Sequence, residues 1–262
     1  MKKNLMILLA AAMFCACNNA NSQTEKTDTP ETATDSIVDD CDHEGEDCTC
    51  GEGDDFIPVK FSGQQPNILD FVHAYLSIEG MGEGYGDFRE AIEAYDKGRK
   101  PEHGELIVDI QNGYVGYTVD WNKIDPETDL ISTNEMCYWN CKDGRHKIFA
   151  SNLKCRDSKR YIDTEVTGIS YLCYDSETKT MEWNSADQLG ALLLPDDMAW
   201  PVQDYENSNL GSEYYRYMPV YSLPRVGKSI KVDIGDSSIP ASKHRTCELV
   251  WNGEGFTKKF SK

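Results

Sequence analysis

Between Leu106 and Phe260 the chain four times sets two short runs, rich in β-branched and aromatic residues, on either side of a turn. This repetition limits the fold more than any other feature. The strongest pair is Leu106 to Ile110 and Tyr114 to Val119 about Asn112-Gly113, because a type I′ turn needs positive φ and Asn-Gly adopts it at little cost. Met136 to Cys141 and His146 to Leu153 flank Asp143-Gly144 in the same way. Tyr171 to Tyr174 and Thr180 to Trp183 surround Ser176-Glu177-Thr178-Lys179, and Cys247 to Trp251 and Phe256 to Phe260 surround Asn252-Gly253-Glu254-Gly255. Turns this tight join only antiparallel strands. Whether the sheet closes into a barrel, splits into a sandwich or stays open is not readable from them.

Ahead of the hairpins, Ile57 to Phe61 reads as a short strand, and Pro66 opens a helix in which Ile68, Leu69, Phe71, Val72, Tyr75 and Leu76 recur at helical spacing. Gly80, Gly82, Gly84 and Gly86 precede a second helix as a phosphate-cradling loop would, but they follow a helix and not a strand, so they read as a connector. Asp87 is the expected N-cap, with Glu90 three residues on, the stripe Phe88, Ala91, Ile92 and Tyr95 behind it, and an end near Gly98. The predicted fold class is therefore α+β: two N-terminal helices followed by a mainly antiparallel, hairpin-rich β-sheet. Residues 185–228, broken by Pro195, Pro201, Pro219 and Pro224, read as loops with one short helix or strand.

Residues 18–55 carry thirteen Asp and Glu, among them Glu25, Asp28, Asp39, Asp40, Glu46 and Asp54, against the single Lys26. Few aromatics and mutual repulsion leave such a segment too little apolar surface to fold, and it reads as an extended tether. Residues 56–262 regain periodic apolar positions, and their length suits a single domain that buries a core without disulfide staples. This body is acidic too, within a chain whose net charge is −19. Phosphate contacts need clustered Lys and Arg, so nucleic acid is excluded as a partner class, and lying flat on anionic lipid is disfavoured for the same reason.

The first seventeen residues are of another kind. Lys2 and Lys3, the apolar run Leu5 to Phe14 and the small-residue site Cys15-Ala16-Cys17 follow one another as the charged, hydrophobic and cleavage parts of an export signal. A membrane-spanning helix needs about 20 apolar residues, and this run is shorter and breaks into Asn18-Asn19-Ala20-Asn21-Ser22. Its end resembles the lipobox of bacterial lipoproteins, in which a Cys after a small residue is acylated and becomes the new N-terminus. Cys17 matches that position. Cys15 does not, because Phe14 is too bulky for the pocket before the cut, and Phe14 also stands where the family carries Leu. The resemblance implies a signal peptide over 1–16, a tether over 17–55 and a covalent lipid on Cys17. At roughly 0.8 kcal/mol per buried CH₂ the acyl chains hold essentially permanently to a bilayer, and the expected place is the cell envelope, at the outer membrane.

With Cys15 removed and Cys17 acylated, Cys41, Cys48, Cys50, Cys137, Cys141, Cys155, Cys173 and Cys247 remain. The body holds an odd number of them, so at least one is free or pairs with the tether. On a strand Cys137 and Cys141 share a face about 13 Å apart, too far for a disulfide, and buried free thiols are expected. In the tether, Cys41, His43, Cys48 and Cys50 sit among carboxylates and could fold around a divalent metal. The spacing is not that of a zinc finger, and an oxidising envelope favours a local disulfide, so no cofactor beyond the lipid is expected.

Four of the five tryptophans precede Asn: Trp121, Trp139, Trp183 and Trp251. Their unequal spacing gives no support to a propeller or solenoid. One reading buries each indole at a strand end with Asn opening the turn. The other joins the four as an aromatic platform for a sugar ring or a protein partner, in a chain that also carries fourteen tyrosines, Tyr214, Tyr215, Tyr217 and Tyr221 among them. Neither Gly-x-Ser-x-Gly nor His-Glu-x-x-His occurs, and Ser151-Asn152-Leu153-Lys154 fits a Ser-x-x-Lys pattern only in letters, its serine falling on a strand. His73, His103, His146 and His244 read as surface or core-edge histidines. Acids are so abundant that some carboxylate pair is inevitable and none can be named.

Tyr138-Trp139-Asn140 through Lys142-Asp143-Gly144 to Phe149-Ala150, Leu223-Pro224-Arg225-Val226-Gly227-Lys228 and Val250-Trp251-Asn252-Gly253 resemble, in hairpin style, uncharacterised bacterial envelope lipoproteins. That resemblance implies no activity and no functional residue. The expectation is a lipid-anchored envelope protein, attached to the membrane through its anchor, with a non-enzymatic body held out to bind a glycan or an envelope protein. The alternatives are a carboxylate-dependent hydrolase of peptidoglycan or extracellular glycan, and metal handling by the Cys/His-rich tether.

Overall fold

Alternation along the central strands sets the architecture, because it sends successive side chains into two different cores. Val115, Tyr117 and Val119 of one strand, with Met136, Phe149, Leu172 and Tyr174 of its neighbours, pack against helices on one face. Tyr114, Cys137, Trp139, Ile148, Ala150 and Tyr171, one residue out of phase, pack against a second sheet on the other. Both faces are buried, so these strands read in sequence as largely apolar runs and not as a half-buried alternation.

The computed structural model describes residues 56–78, 85–157, 168–201 and 210–261. Strands β1 (Ile57–Pro58), β2 (Glu105–Asp109), β3 (Tyr114–Asp120), β4 (Ile131–Asn140), β5 (His146–Arg156), β6 (Gly168–Asp175) and β7 (Thr180–Asn184) form a seven-stranded sheet in the order β1-β7-β6-β5-β4-β3-β2. Strands β8 (Pro219–Ser222), β9 (Ser229–Ile234), β10 (Thr246–Trp251) and β11 (Phe256–Ser261) form a four-stranded sheet in the order β11-β10-β9-β8. Every pairing between these strands is antiparallel. Three α-helices occur among the described residues, α1 (Ile68–Leu76), α2 (Gly86–Asp96) and the single turn α3 (Pro195–Met198), so the fold is mainly antiparallel β. The two sheets face one another across a shared core, and β1 and β2 are opposite edges of the larger one, which does not close into a barrel.

Local chemistry explains where several elements begin and end. Asn67 caps α1 reciprocally: its Oδ1 accepts from Leu69 N at 2.8 Å, and its own N–H donates to Asp70 Oδ2 at 2.7 Å, so Pro66 lies just ahead of the cap. Asp87 is not the cap of α2. Arg89 N already bonds Tyr85 O at 2.8 Å, so the helix is under way two residues earlier, Tyr85 is the N-cap, and Asp87 sits in the first turn. There its charge faces the positive end of the helix dipole.

The Asn112-Gly113 connection also differs from a two-residue turn. Asp109 and Tyr114 are the last pair of β2 and β3, leaving Ile110 to Gly113 as a four-residue loop. The Asp109 carboxylate holds Asn112 through N at 3.2 Å and Nδ2 at 3.0 Å, and only Gly113 takes positive φ, at 65°. A Cβ there would lie 2.8 Å from the Tyr138 ring, a second reason for glycine. The strand expected over Ile57 to Phe61 is only two residues long. The Pro-rich stretch 185–228 holds more than one short element, with α3, a 3₁₀ helix (Gly211–Tyr217) and β8 inside it and β9 directly after it.

The two sheets are fastened by a buried polar cluster. Glu135 of β4 and its cross-strand partner Asn152 of β5 are both less than a tenth exposed and point toward the smaller sheet. Glu135 Oε2 accepts from Lys154 Nζ at 2.9 Å, from Asn152 Nδ2 at 3.1 Å and from Leu223 N at 3.1 Å, while Tyr114 Oη donates to Oε1 at 3.4 Å. Asn152 Nδ2 also reaches Tyr221 O at 2.8 Å, and Lys154 Nζ reaches Ser222 Oγ at 3.1 Å. Three consecutive residues at the end of β8 are thereby gripped by one face of the larger sheet.

Three carboxylates are held well below their ordinary range. Hydrogen bonds from His146 take Asp143 down to about 2. The Arg145 guanidinium takes Asp175 to about 2, and Ser238 followed by Arg216 takes Asp236 to about 2. In the unfolded chain the same groups titrate near about 4, so folding holds their protons more weakly, and the stability they contribute is complete above that pH. It is lost as pH falls from about 4 toward about 2. Thermal midpoints measured across that window should fall steeply, and Asp175→Asn, which cannot titrate, should lower the midpoint at neutral pH while flattening part of the acid slope.

Candidate functional site

Two grooves, each of about 390 Å³, adjoin at Glu102 and His103: the first lies where α2, the segment 99–104 and β3 meet, and the second lies between residues 102–105 and the stretch from Thr118 to Ile124. Helical spacing builds the first wall: Asp87, Glu90, Ala94 and Lys97 fall on the flank of α2 that borders the groove, while Phe88, Ala91 and Ile92 are buried. Phe88 stacks on Tyr117 of β3 at 5.9 Å between ring centres, which fixes the helix over the sheet.

The second wall is the strap 99–104, brought down onto β3 by two contacts. Tyr117 Oη donates to His103 O at 2.9 Å. Gly104, at φ 73°, lets the backbone approach so closely that a Cβ would stand 2.5 Å from Thr118 O. Burial, then the charges of Asp87 and Glu90, push the Tyr117 hydroxyl up to about 12, so it stays a donor to the strap at any physiological pH. Gly104→Ala should cost about 1–3 kcal/mol, because both φ and the backbone contact oppose it. A lower urea midpoint, with faster exchange of the Glu105 and Thr118 amides, would be the measured outcome.

The floor and walls are polar and of both signs. Lys97 pairs with Glu93 at 3.5 Å, His103 with Glu102 at 3.8 Å and Lys123 with Asp120 at 3.2 Å. All the carboxylates of the first groove, Asp87, Glu90, Glu93 and Glu102, are exposed to solvent. None is buried as the acid of a glycoside hydrolase must be to keep its proton near neutral pH.

The inter-sheet cluster is richer in chemical groups but poorer in access. Lys154 beside Ser222 is the pairing of a Ser/Lys nucleophile, yet Lys154 Nζ is held by Glu135 Oε2 at 2.9 Å, closer than Ser222 Oγ at 3.1 Å. Side chains of Lys154 and Glu135 are only 12% and 10% exposed. Ser151, three residues before Lys154, lies on the opposite face of β5 among the helices, with its Oγ 3.4 Å from Tyr85 Oη, so the Ser-x-x-Lys letters are never assembled.

The four Trp-Asn indoles lie in three places. Trp139 and Trp251 meet in the inter-sheet core, ring centres 6.2 Å apart with Phe256 between them at 5.2 and 5.1 Å, and Trp251 Nε1 donates to Asn140 O at 3.0 Å. Trp121 is half-buried beside the helices and donates to Ser132 Oγ at 3.0 Å. Trp183 alone presents a large exposed area, 48%, near the edge of the larger sheet with Tyr75 edge-on to it. Cys137, Cys141, Cys155, Cys173 and Cys247 are all free thiols. Burial raises each of them, Cys141 and Cys173 to about 11, which suppresses the reactive thiolate.

The lipidation residue Cys17 and the tether ligands Cys41, His43, Cys48 and Cys50 lie outside the described residues. Among the described residues no group of three His, Cys, Asp or Glu could hold a metal ion, and no helix is long and apolar enough to cross a membrane. The groove was not legible as a site in the sequence; its one signal was Gly104, where helical spacing gives way to strands. Compared with protein-family models, with curated proteins and with solved structures, the chain finds no match in any of the three.

Proposed function

We propose that the chain is an envelope lipoprotein, acylated on Cys17, whose α+β body, helices leading the sheet, binds a partner without chemical turnover through the groove at α2 and the 99–104 strap. The observation that carries binding over hydrolysis is the exposure of every carboxylate in the first groove: Asp87, Glu90, Glu93 and Glu102 are all solvated. Glycan hydrolysis needs one carboxyl desolvated and protonated beside a second that is ionised. A stalk of like charges would hold such a body clear of the bilayer and within reach of envelope polymers.

The test takes the mature chain from native cells. Its intact mass should show acyl chains on Cys17, and the protein should be retained by peptidoglycan sacculi or by an envelope protein fraction while releasing no reducing ends. Steady release of reducing ends that is abolished by one groove substitution such as Glu90→Gln would replace binding with hydrolysis. An unlipidated mass with Met1 attached would end the lipoprotein reading.

A further inference from the structure

The groove leaves charges of both signs unused. Asp87 and Glu90 on the α2 wall, and Arg99 and Lys100 on the strap wall, make no side-chain hydrogen bond or salt bridge among the described residues, although their neighbours Glu93, Lys97, Glu102 and His103 do pair. The helix dipole accounts for Asp87 in the first turn of α2 but falls off before Glu90. Opposite signs lining one groove without closing on one another leave each wall free to meet an external charge.

The lining also argues against a sugar. Stacking on a pyranose ring needs an exposed aromatic face, and Tyr117, the one Phe, Tyr or Trp among the described residues lining either groove, is only 3% exposed with its ring covered by Phe88. The exposed indole of Trp183 is not part of either groove. What remains is a solvated groove with unpartnered carboxylates on the α2 wall and unpartnered cations on the strap wall.

Resting on the binding reading above, we infer that the groove takes an extended polypeptide segment of alternating charge, whose Lys or Arg side chains meet Asp87 and Glu90 and whose Asp or Glu side chains meet Arg99 and Lys100. Such a ligand satisfies both walls at once, whereas a uniformly acidic or basic strand satisfies one and is repelled by the other.

The experiment uses the full mature chain in detergent and four probes: a short peptide of alternating Lys and Glu, an all-Lys peptide, an all-Glu peptide, and peptide-free chito-oligosaccharide. Groove occupancy is followed by the His103 imidazole resonance, assigned with His103→Gln, and affinity by fluorescence anisotropy of labelled probe. The alternating peptide should shift His103 and lose at least about fivefold in affinity between about 50 and about 200 mM salt, as contacts between exposed charges do. Asp87→Asn with Glu90→Gln, and separately Arg99→Gln with Lys100→Gln, should each weaken it about tenfold, equal to about 1.4 kcal/mol.

All four side chains are exposed, so these variants keep the fold, which an unchanged thermal midpoint verifies. A chito-oligosaccharide that shifts His103 more tightly than the peptide, or peptide affinity indifferent to all four substitutions, overturns the polypeptide ligand while leaving a binding body intact. If neither the four probes nor solubilised envelope fractions move His103, the groove is not the binding site and both statements fall.

Discussion

Glu135→Leu should destabilise the folded body by about 3–5 kcal/mol, the cost of leaving a buried ammonium without its counter-charge. The Coulombic contact with Lys154 is only part of the loss. Glu135 Oε2 is also the acceptor for Asn152 and for the backbone N–H of Leu223, so its removal strands Leu223 N and leaves Asn152 Nδ2 and Lys154 Nζ with only Tyr221 O and Ser222 Oγ. Lys154→Met should cost a similar amount from the opposite side, by leaving the carboxylate uncompensated. The pair together should not cost the sum. Desolvating two ions is expensive, and Glu135→Leu with Lys154→Met replaces both by apolar groups of comparable length, so the double variant should recover most of the stability lost by either single one. Urea midpoints for the four proteins decide the matter. Single losses below about 1 kcal/mol, or a double loss equal to the sum, would mean that the cluster does not fasten the sheets.

Why this cluster escapes a sequence reading is a matter of phase. In β4 the order Glu135-Met136-Cys137-Tyr138-Trp139 sends Met136 and Tyr138 to the helices and Glu135, Cys137 and Trp139 to the second sheet. Without knowing that a second sheet exists, Glu135 is an acid on an exposed face, and the groups that close its cluster, Leu223 N on Glu135, Tyr221 O on Asn152 and Ser222 on Lys154, come from a Pro-rich stretch with no strand periodicity. The hairpins were more legible because their determinants are local: Gly144 at positive φ and the Asp143 carboxylate accepting from Arg145 N and His146 N at 3.0 Å need nothing from the rest of the chain. Even there the loop length is not set by the Asn-Gly pair alone, since Asp109 pulls Asn112 into the turn from outside it. The groove stands at the far end of that scale. Its charges lie on α2 and on the strap, which only the burial of Phe88 against Tyr117 and the close approach at Gly104 bring together.

Phe71→Ala should be the costliest change on the helical face, at about 3–5 kcal/mol for a fully buried phenyl ring that leaves a cavity behind. Phe71 has no exposed surface and stands between Tyr138 at 5.3 Å, Phe149 at 6.0 Å and Tyr174 at 5.1 Å, the aromatic contacts through which α1 sits on the larger sheet. A helix of nine residues is too short to persist by itself, so whatever loosens this seat loosens the helix. The effect should travel to the groove by a route of named contacts. Arg89 of α2 donates to Leu76 O at the end of α1, His73 pairs with Asp96 at 3.3 Å, and Tyr75 meets Tyr85 edge-on at 5.7 Å. With α1 unseated, α2 keeps only Phe88 on Tyr117 and its own apolar stripe, and the wall bearing Asp87 and Glu90 gains freedom. Hydrogen exchange should therefore quicken first in α1, then in α2, while the amides of β10 and β11 on the far sheet keep their protection. Phe71→Leu, which retains most of the apolar volume, should cost less and leave α2 protected. Exchange that rises equally in both helices and both sheets at low denaturant would refute the local route and make Phe71 a plain contributor to global stability.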